Sequence, residues 1–75
     1  MYNANVKEKY ELLIRPYIKI SELAIILGIS RSTAYRWIDE KKISVTQYGL
    51  RTNDVIKAFE LEEYVYRLFE LIEKK

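Results

Sequence analysis

The stretch Leu27-Gly28-Ile29-Ser30 constrains this chain more than any other, because it closes one helix and opens the next. Gly28 can adopt the left-handed conformation that commonly ends a helix, and Ser30 is a strong N-cap. Upstream, Ser21 is a good N-cap for a helix over Glu22–Leu27 with Leu23, Ala24 and Leu27 on one face. Downstream, a helix from Arg31 to about Lys41 turns Ala34, Trp37, Ile38 and the aliphatic stem of Lys41 inward. The chain must therefore contain two short helices joined by a turn.

That arrangement is a helix-turn-helix, and the rest of the sequence builds around it. Met1 to Asn5 is polar and expected to fray. Val6, Tyr10, Leu13 and Ile14 recur at helical spacing behind Asn5, a candidate cap, and Pro16 ends that helix near Ile14. Tyr17–Ile20 is β-prone, either a small strand or an extended link. Ile43 and Val45 alternate with Ser44 and Thr46, Gln47-Tyr48-Gly49 suits a turn, and Leu50-Arg51-Thr52 can return as a strand. This is a minimal hairpin, a wing beside the helix pair.

Thr52 or Asn53 is expected to cap a last helix that meets no Gly or Pro through to Lys75. Val55, Ile56 and Phe59 start its inward face. Ala58, Leu61, Val65, Leu68 and Ile72 then follow alternating spacings of three and four, a coiled-coil seam. About 20 helical residues span ~30 Å, longer than a core of this size can cover. The seam is thus expected on a second chain or against Leu13 and Ile14. The organisation expected is one domain over 1–75: an N-terminal helix at 5–15, helix-turn-helix plus wing at 21–52, and a C-terminal helix at 53–75.

Composition removes several functions. Among 75 residues there is no Cys and no His, so disulfides, thiolate nucleophiles, ordinary zinc sites and the usual general base are all missing. A domain this small has no obvious room for a ~300 Å³ cleft. A non-enzymatic binding module without cofactor, metal or small-molecule ligand is expected. The longest uncharged runs, Leu23–Ser30 and Ile43–Leu50, are eight residues each, against the ~20 a membrane helix requires. The start of the chain also lacks a signal-peptide core, so a cytoplasmic location without membrane contact is expected.

Charge is unevenly placed. Residues 1–52 hold nine basic and five acidic residues, net +4, whereas residues 53–75 hold four and six, net −2. A polyanion partner therefore suits the first part of the chain. A helix that enters a DNA groove needs small or hydrogen-bonding residues on its early outward face. Arg31, Ser32, Thr33 and Arg36 meet that need, with Tyr35 beside them. Arg can read guanine bidentately, Ser and Thr can reach a phosphate or a base edge, and the helix start itself favours phosphate.

Neighbouring residues have plainer readings. Trp37 belongs to the core face, and Lys41 and Lys42 complement a helix C-terminus before they contact phosphate. Arg51 can clamp a phosphate or pair with Asp39 or Glu40. Tyr10, Tyr17, Tyr64 and Tyr66 fall in different elements and form no stacking platform for a single strand.

The runs Ile20-Ser21-Glu22-Leu23-Ala24 and Leu27 through Ile38, the hairpin with Gly49 and Arg51, and Asn53-Asp54-Val55 together resemble the small excisionase-like winged helix-turn-helix proteins. These are relatives of the DNA-binding part of MerR-type regulators. The resemblance covers about residues 17–60, and Ser30-Arg31-Ser32-Thr33 with Tyr35-Arg36 is its most specific part. It implies a mostly α winged helix-turn-helix fold with a small β-hairpin wing, to which this sequence adds a long C-terminal helix. It implies Arg31, Ser32, Thr33, Tyr35 and Arg36 in the major groove of double-stranded DNA, with Gln47, Tyr48 and Arg51 of the wing on the adjacent backbone or minor groove.

Members of that family direct recombination beside an integrase or regulate transcription of mobile elements, so sequence-specific DNA binding with an integrase or recombinase partner is the expectation. Two features depart from the pattern: the wing tip lacks Lys and Arg, and the last helix is long and acidic. The second is closer to a MerR-like dimerisation helix, which makes Leu61, Val65, Leu68 and Ile72 candidate homodimer contacts. The alternative function is a protein-interaction module whose long C-terminal helix binds a partner protein.

Overall fold

The computed structural model describes residues 5–73; the expected fraying at residues 1–4, and the last two lysines, lie outside that range. Asn5 caps α1 (Val6–Leu13) through a reciprocal pair: its side chain accepts from the Glu8 N–H at 2.9 Å, and Glu8 accepts from the Asn5 N–H at 3.4 Å. Leu12 and Leu13 are buried, whereas Ile14, placed inward by periodicity, is exposed. Ile14 is the C-cap, so the helical phase that predicted its direction ends before it.

After Pro16 the chain runs through β1 (Tyr17–Ile18) into α2 (Ile20–Leu27). Ser21 is not the cap. Lys19 holds that position, and its N–H donates to Glu22 Oε1 at 2.8 Å. Glu22 Oε2 also accepts from Arg15 at 3.1 Å, so one carboxylate ties the start of α2 to the link from α1. At the other end Gly28 takes φ 68° as expected, and the Gly28 and Ile29 N–H groups donate to the Ile25 and Ala24 carbonyls. This is the Schellman closure. Ser30 then caps α3 (Arg31–Glu40).

The wing is larger than a hairpin. β2 (Val45–Thr46) and β3 (Gly49–Arg51) pair antiparallel, and β1 adds on the far side of β3, giving the order β1-β3-β2. Tyr17 lies opposite Arg51, and Leu50 lies between Ile18 and Val45. Gly49, at φ 107°, directly follows the two-residue Gln47–Tyr48 turn and lies opposite Thr46. A Cβ there would lie 2.7 Å from the Ile18 carbonyl oxygen, so both backbone angle and space demand glycine.

The last helix is two helices. α4 (Thr52–Ala58) stops at Phe59 and α5 (Glu62–Glu73) starts three residues later. Glu60 takes φ 53°, and the Glu60 and Leu61 N–H groups donate to the Lys57 and Ile56 carbonyls. The same closure operates at Gly28, here with a non-glycine residue. The expected Thr52 or Asn53 cap is also replaced: Arg51 is the N-cap, with no side-chain cap bond. Thr52 instead donates its backbone N–H to the Pro16 carbonyl at 3.1 Å and buries its hydroxyl.

The bend folds α5 back onto α1. Leu68 joins Leu12, Leu13, Ile18, Leu23, Ile26, Ile38, Leu50 and Val55 in one core, with Leu61, Val65 and Tyr64 packed against it. The seam is therefore spent inside the chain. Of the four candidate homodimer contacts Leu68 is buried in this core, and Leu61, Val65 and Ile72 are half-buried. Burying an aliphatic side chain contributes about 1.5–3 kcal/mol, and Ile18, Leu23, Leu50 and Val55 are the largest side chains buried fully. They anchor the sheet, α2 and α4 behind α3.

Candidate nucleic-acid interface

The start of α3 is held tightly and faces outward. Ser30 Oγ accepts from the Thr33 N–H at 3.1 Å and donates to Thr33 Oγ1 at 2.9 Å. Behind it, Ala34 and Ile38 are buried, and the small Ala34 and Ala24 side chains let α3 sit close to α2. At 3.6 residues per turn this leaves Ser32 and Arg36 on the opposite side and Tyr35 on the flank, while Arg31, in phase with Ala34 and Ile38, clears the core because it lies a turn before them at the helix start. All four are exposed, Tyr35 by 56%. Thr33 differs from the expectation: it is half-buried, with both backbone N–H and hydroxyl engaged by Ser30. It orders the helix start and presents less to a ligand.

A shallow groove of about 290 Å³ runs beside this surface, walled by Lys19, Ser21, Arg31, Tyr35, Val45 and Gly49. It brings the first turns of α2 and α3 together with the inner edge of the wing. Two helix starts, each with N–H groups that lack a helical acceptor, make such a groove favourable for an anion. The sequence reading missed Lys19 and Ser21. Their signal is their position at the start of the first helix of a helix-turn-helix, where Ser21 reads as a cap alone.

The wing residues expected to contact DNA, Gln47, Tyr48 and Arg51, do not line that groove. Thr46 stabilises the turn: its hydroxyl donates to the Gly49 carbonyl at 2.8 Å and accepts from the Tyr48 N–H at 3.1 Å. Gln47 is exposed, and Tyr48, 65% exposed, leans on Tyr17 with ring centroids 5.4 Å apart. Arg51 is exposed opposite Tyr17. Among the described residues the ion pairs are Arg15–Glu22 and Glu63–Arg67. Arg51 therefore pairs with neither Asp39 nor Glu40, and Arg31 and Arg36 are likewise uncommitted.

Trp37, expected on the core face, lies outside the buried core and packs at its edge. It is half-buried with its ring 6.3 Å from that of Phe59, and the Lys41 ammonium sits 5.2 Å from the centroid of the same Phe59 ring. Lys41 thus has a cation–π partner and is not purely a charge for the helix end. Asp39 and Glu40 are exposed and place two acidic groups between the arginines at the start of α3 and the lysines after it.

An exposed cationic helix start, two helices meeting at a tight glycine turn, and a three-stranded wing define the winged helix-turn-helix class of small DNA-binding proteins. The model of the helix-turn-helix domain family matches residues 17–68, most of the chain, which belongs to that family. No curated protein and no solved structure matches the chain. DNA binding follows from the family. Among the described residues no helix is long and apolar enough to cross a membrane.

Proposed function

We propose that this chain binds double-stranded DNA sequence-specifically as a small excisionase-like factor, directing recombination or regulating transcription of a mobile element. Helix α3 enters the major groove with Arg31, Ser32, Tyr35 and Arg36, and the wing follows the adjacent backbone with Gln47, Tyr48 and Arg51. The observation that carries the reading is the pair of uncommitted, exposed arginines on a helix start whose own cap is complete. No enzymatic step is assigned. A single module of this size buries about 600–1,000 Å² on DNA, so useful specificity calls for a second copy or a protein partner such as an integrase.

A second reading, a protein-interaction module, draws on Tyr66, Phe69 and Leu71, which stay exposed on α5 after the seam is buried. Mobility shifts on the promoter and end sequences of the chain's own element, measured over a salt series, separate the two. A steep loss of affinity with salt supports phosphate contacts. Absence of any shift at low salt refutes DNA binding and favours the interaction module.

A further inference from the structure

A second groove opens at the other end of α3. It measures about 340 Å³ and is walled by Lys41, Lys42, Ser44, Asp54 and Lys57. Lys42 is held at φ 55° because its N–H donates to the Asp39 carbonyl and the Ile43 N–H donates to the Ile38 carbonyl, each at 3.1 Å. Its backbone is thereby locked just past the helix end. Lys42 and Lys57 are exposed, and neither forms an ion pair among the described residues; Asp54, half-buried on the same wall, also forms none. Lys42 and Lys57 thus put positive charge on a groove wall they share with Asp54, and no ion pair among the described residues uses it.

The placement relative to the first groove matters more than the charge alone. Arg31 and Tyr35 wall the groove toward the wing, whereas Trp37 and Lys41 turn toward Phe59 behind α4. At about 100° per residue, Trp37 lies roughly 120–160° around the helix from Arg31 and Tyr35. The second groove therefore lies at the far end of α3 from the first and, through Lys41, about 80° around the helix from Arg31. Along the axis, ten residues separate Arg31 from Lys41, about 15 Å at 1.5 Å per residue. The major groove of B-DNA is about 12 Å wide, so a helix with cationic ends this far apart can reach both of its phosphate walls.

Building on the DNA-binding reading, we propose that the Lys41–Lys42–Lys57 groove holds the phosphate backbone of the second strand, across the major groove from the phosphates near Lys19 and Arg31. Phosphate is the ligand class, and the contact carries affinity but no sequence information. Asp39 and Glu40, lying between the two cationic ends, then face base edges, where a carboxylate can accept from an amino group, and not the phosphates that would repel them.

The test compares the full chain with a Lys42→Gln/Lys57→Gln variant, which leaves Lys41 on Phe59. A Lys7→Gln/Lys9→Gln variant on α1 changes the net charge equally. Affinity for one fixed duplex is followed by fluorescence anisotropy from 50 to 200 mM salt. Each phosphate contact contributes about 0.9 to the slope of log affinity against log salt. The Lys42/Lys57 variant should lose about 1.8 from the slope, so its affinity falls about tenfold less over that salt range. The α1 variant should keep the slope of the parent.

Equal slopes for parent and Lys42/Lys57 variant, or equal losses in both variants, overturn the proposal. An unchanged slope would instead direct these lysines to an acidic protein surface. A parent chain that fails to bind duplex at low salt overturns the DNA reading itself, which separates the two failures.

Discussion

Replacing Glu60 by glycine asks whether the C-terminal third is one helix or two, because the two answers differ in sign. In the structure Glu60 sits at φ 53° between α4 and α5. A left-handed conformation costs an L-residue about 1–2 kcal/mol. Glycine removes that strain but gives back about 0.5–1 kcal/mol through the entropy it loses on folding. Glu60 is exposed, so no packing is lost. Its charge lies after the end of α4 and before the start of α5, where the two helix dipoles act in opposite directions.

The net expectation is stabilisation by about 0.5–1 kcal/mol. For a domain of 60–100 residues this corresponds to a Tm rise of about 2–8 °C. A helix running unbroken from 53 to 75 gives the opposite result, since glycine in a helix interior costs up to about 1 kcal/mol. Thermal unfolding followed by circular dichroism at the helix band, with urea midpoints as a second measure, decides between them. A lowered Tm for Glu60→Gly refutes the bend and, with it, the packing of the seam on α1.

Three other perturbations probe separate parts of the account. Gly49→Ala should destabilise by at least about 2 kcal/mol, combining left-handed strain with a Cβ 2.7 Å from the Ile18 carbonyl oxygen; an unchanged urea midpoint contradicts the β1–β3 pairing described. Thr52→Val should stabilise by about 1 kcal/mol, because the buried Thr52 hydroxyl has no hydrogen-bond partner while the backbone N–H keeps its bond to Pro16; a clear drop in Tm would mean that the hydroxyl is satisfied. Arg31→Ala and Arg36→Ala should each weaken binding to a selected site by about 1–3 kcal/mol with Tm unchanged. Parent-like affinity in the double variant removes these residues from the interface.

Local chemistry made much of the fold legible. The Asn5 cap, the Gly28 closure, the Ser30 cap and the Ala34–Ile38 stripe each depend on residues a few positions apart, and such signals survive in a sequence. The hairpin was legible for the same reason. β1 was harder to assign, because Tyr17 and Ile18 find their partners on Arg51 and Leu50, more than thirty residues away, and a two-residue strand has no periodicity. The bend at Glu60 was hidden because the usual mark of a left-handed helix end is glycine or asparagine, and this chain uses glutamate there and lysine at 42.

The seam was read correctly as apolar, but spacing alone does not say whose surface it meets. Once the chain turns at Glu60, α1 is the surface within reach. In the candidate site, the exposure of Ser32, Tyr35 and Arg36 followed from helical phase, and that of Arg31 from its place at the helix start. Lys19 and Ser21 did not, because they reach the same groove only through the angle between α2 and α3.

The central claim, that the outer face of α3 is what meets DNA, is tested most directly by backbone amide NMR of the full chain titrated with a short duplex at low salt. At low salt even a duplex of arbitrary sequence engages phosphate contacts. The account predicts shifts concentrated at residues 30–36, with further changes at 19–21 and around the wing at 47–51. Shifts confined to α5, or none at any duplex concentration while the chain stays folded, would contradict it.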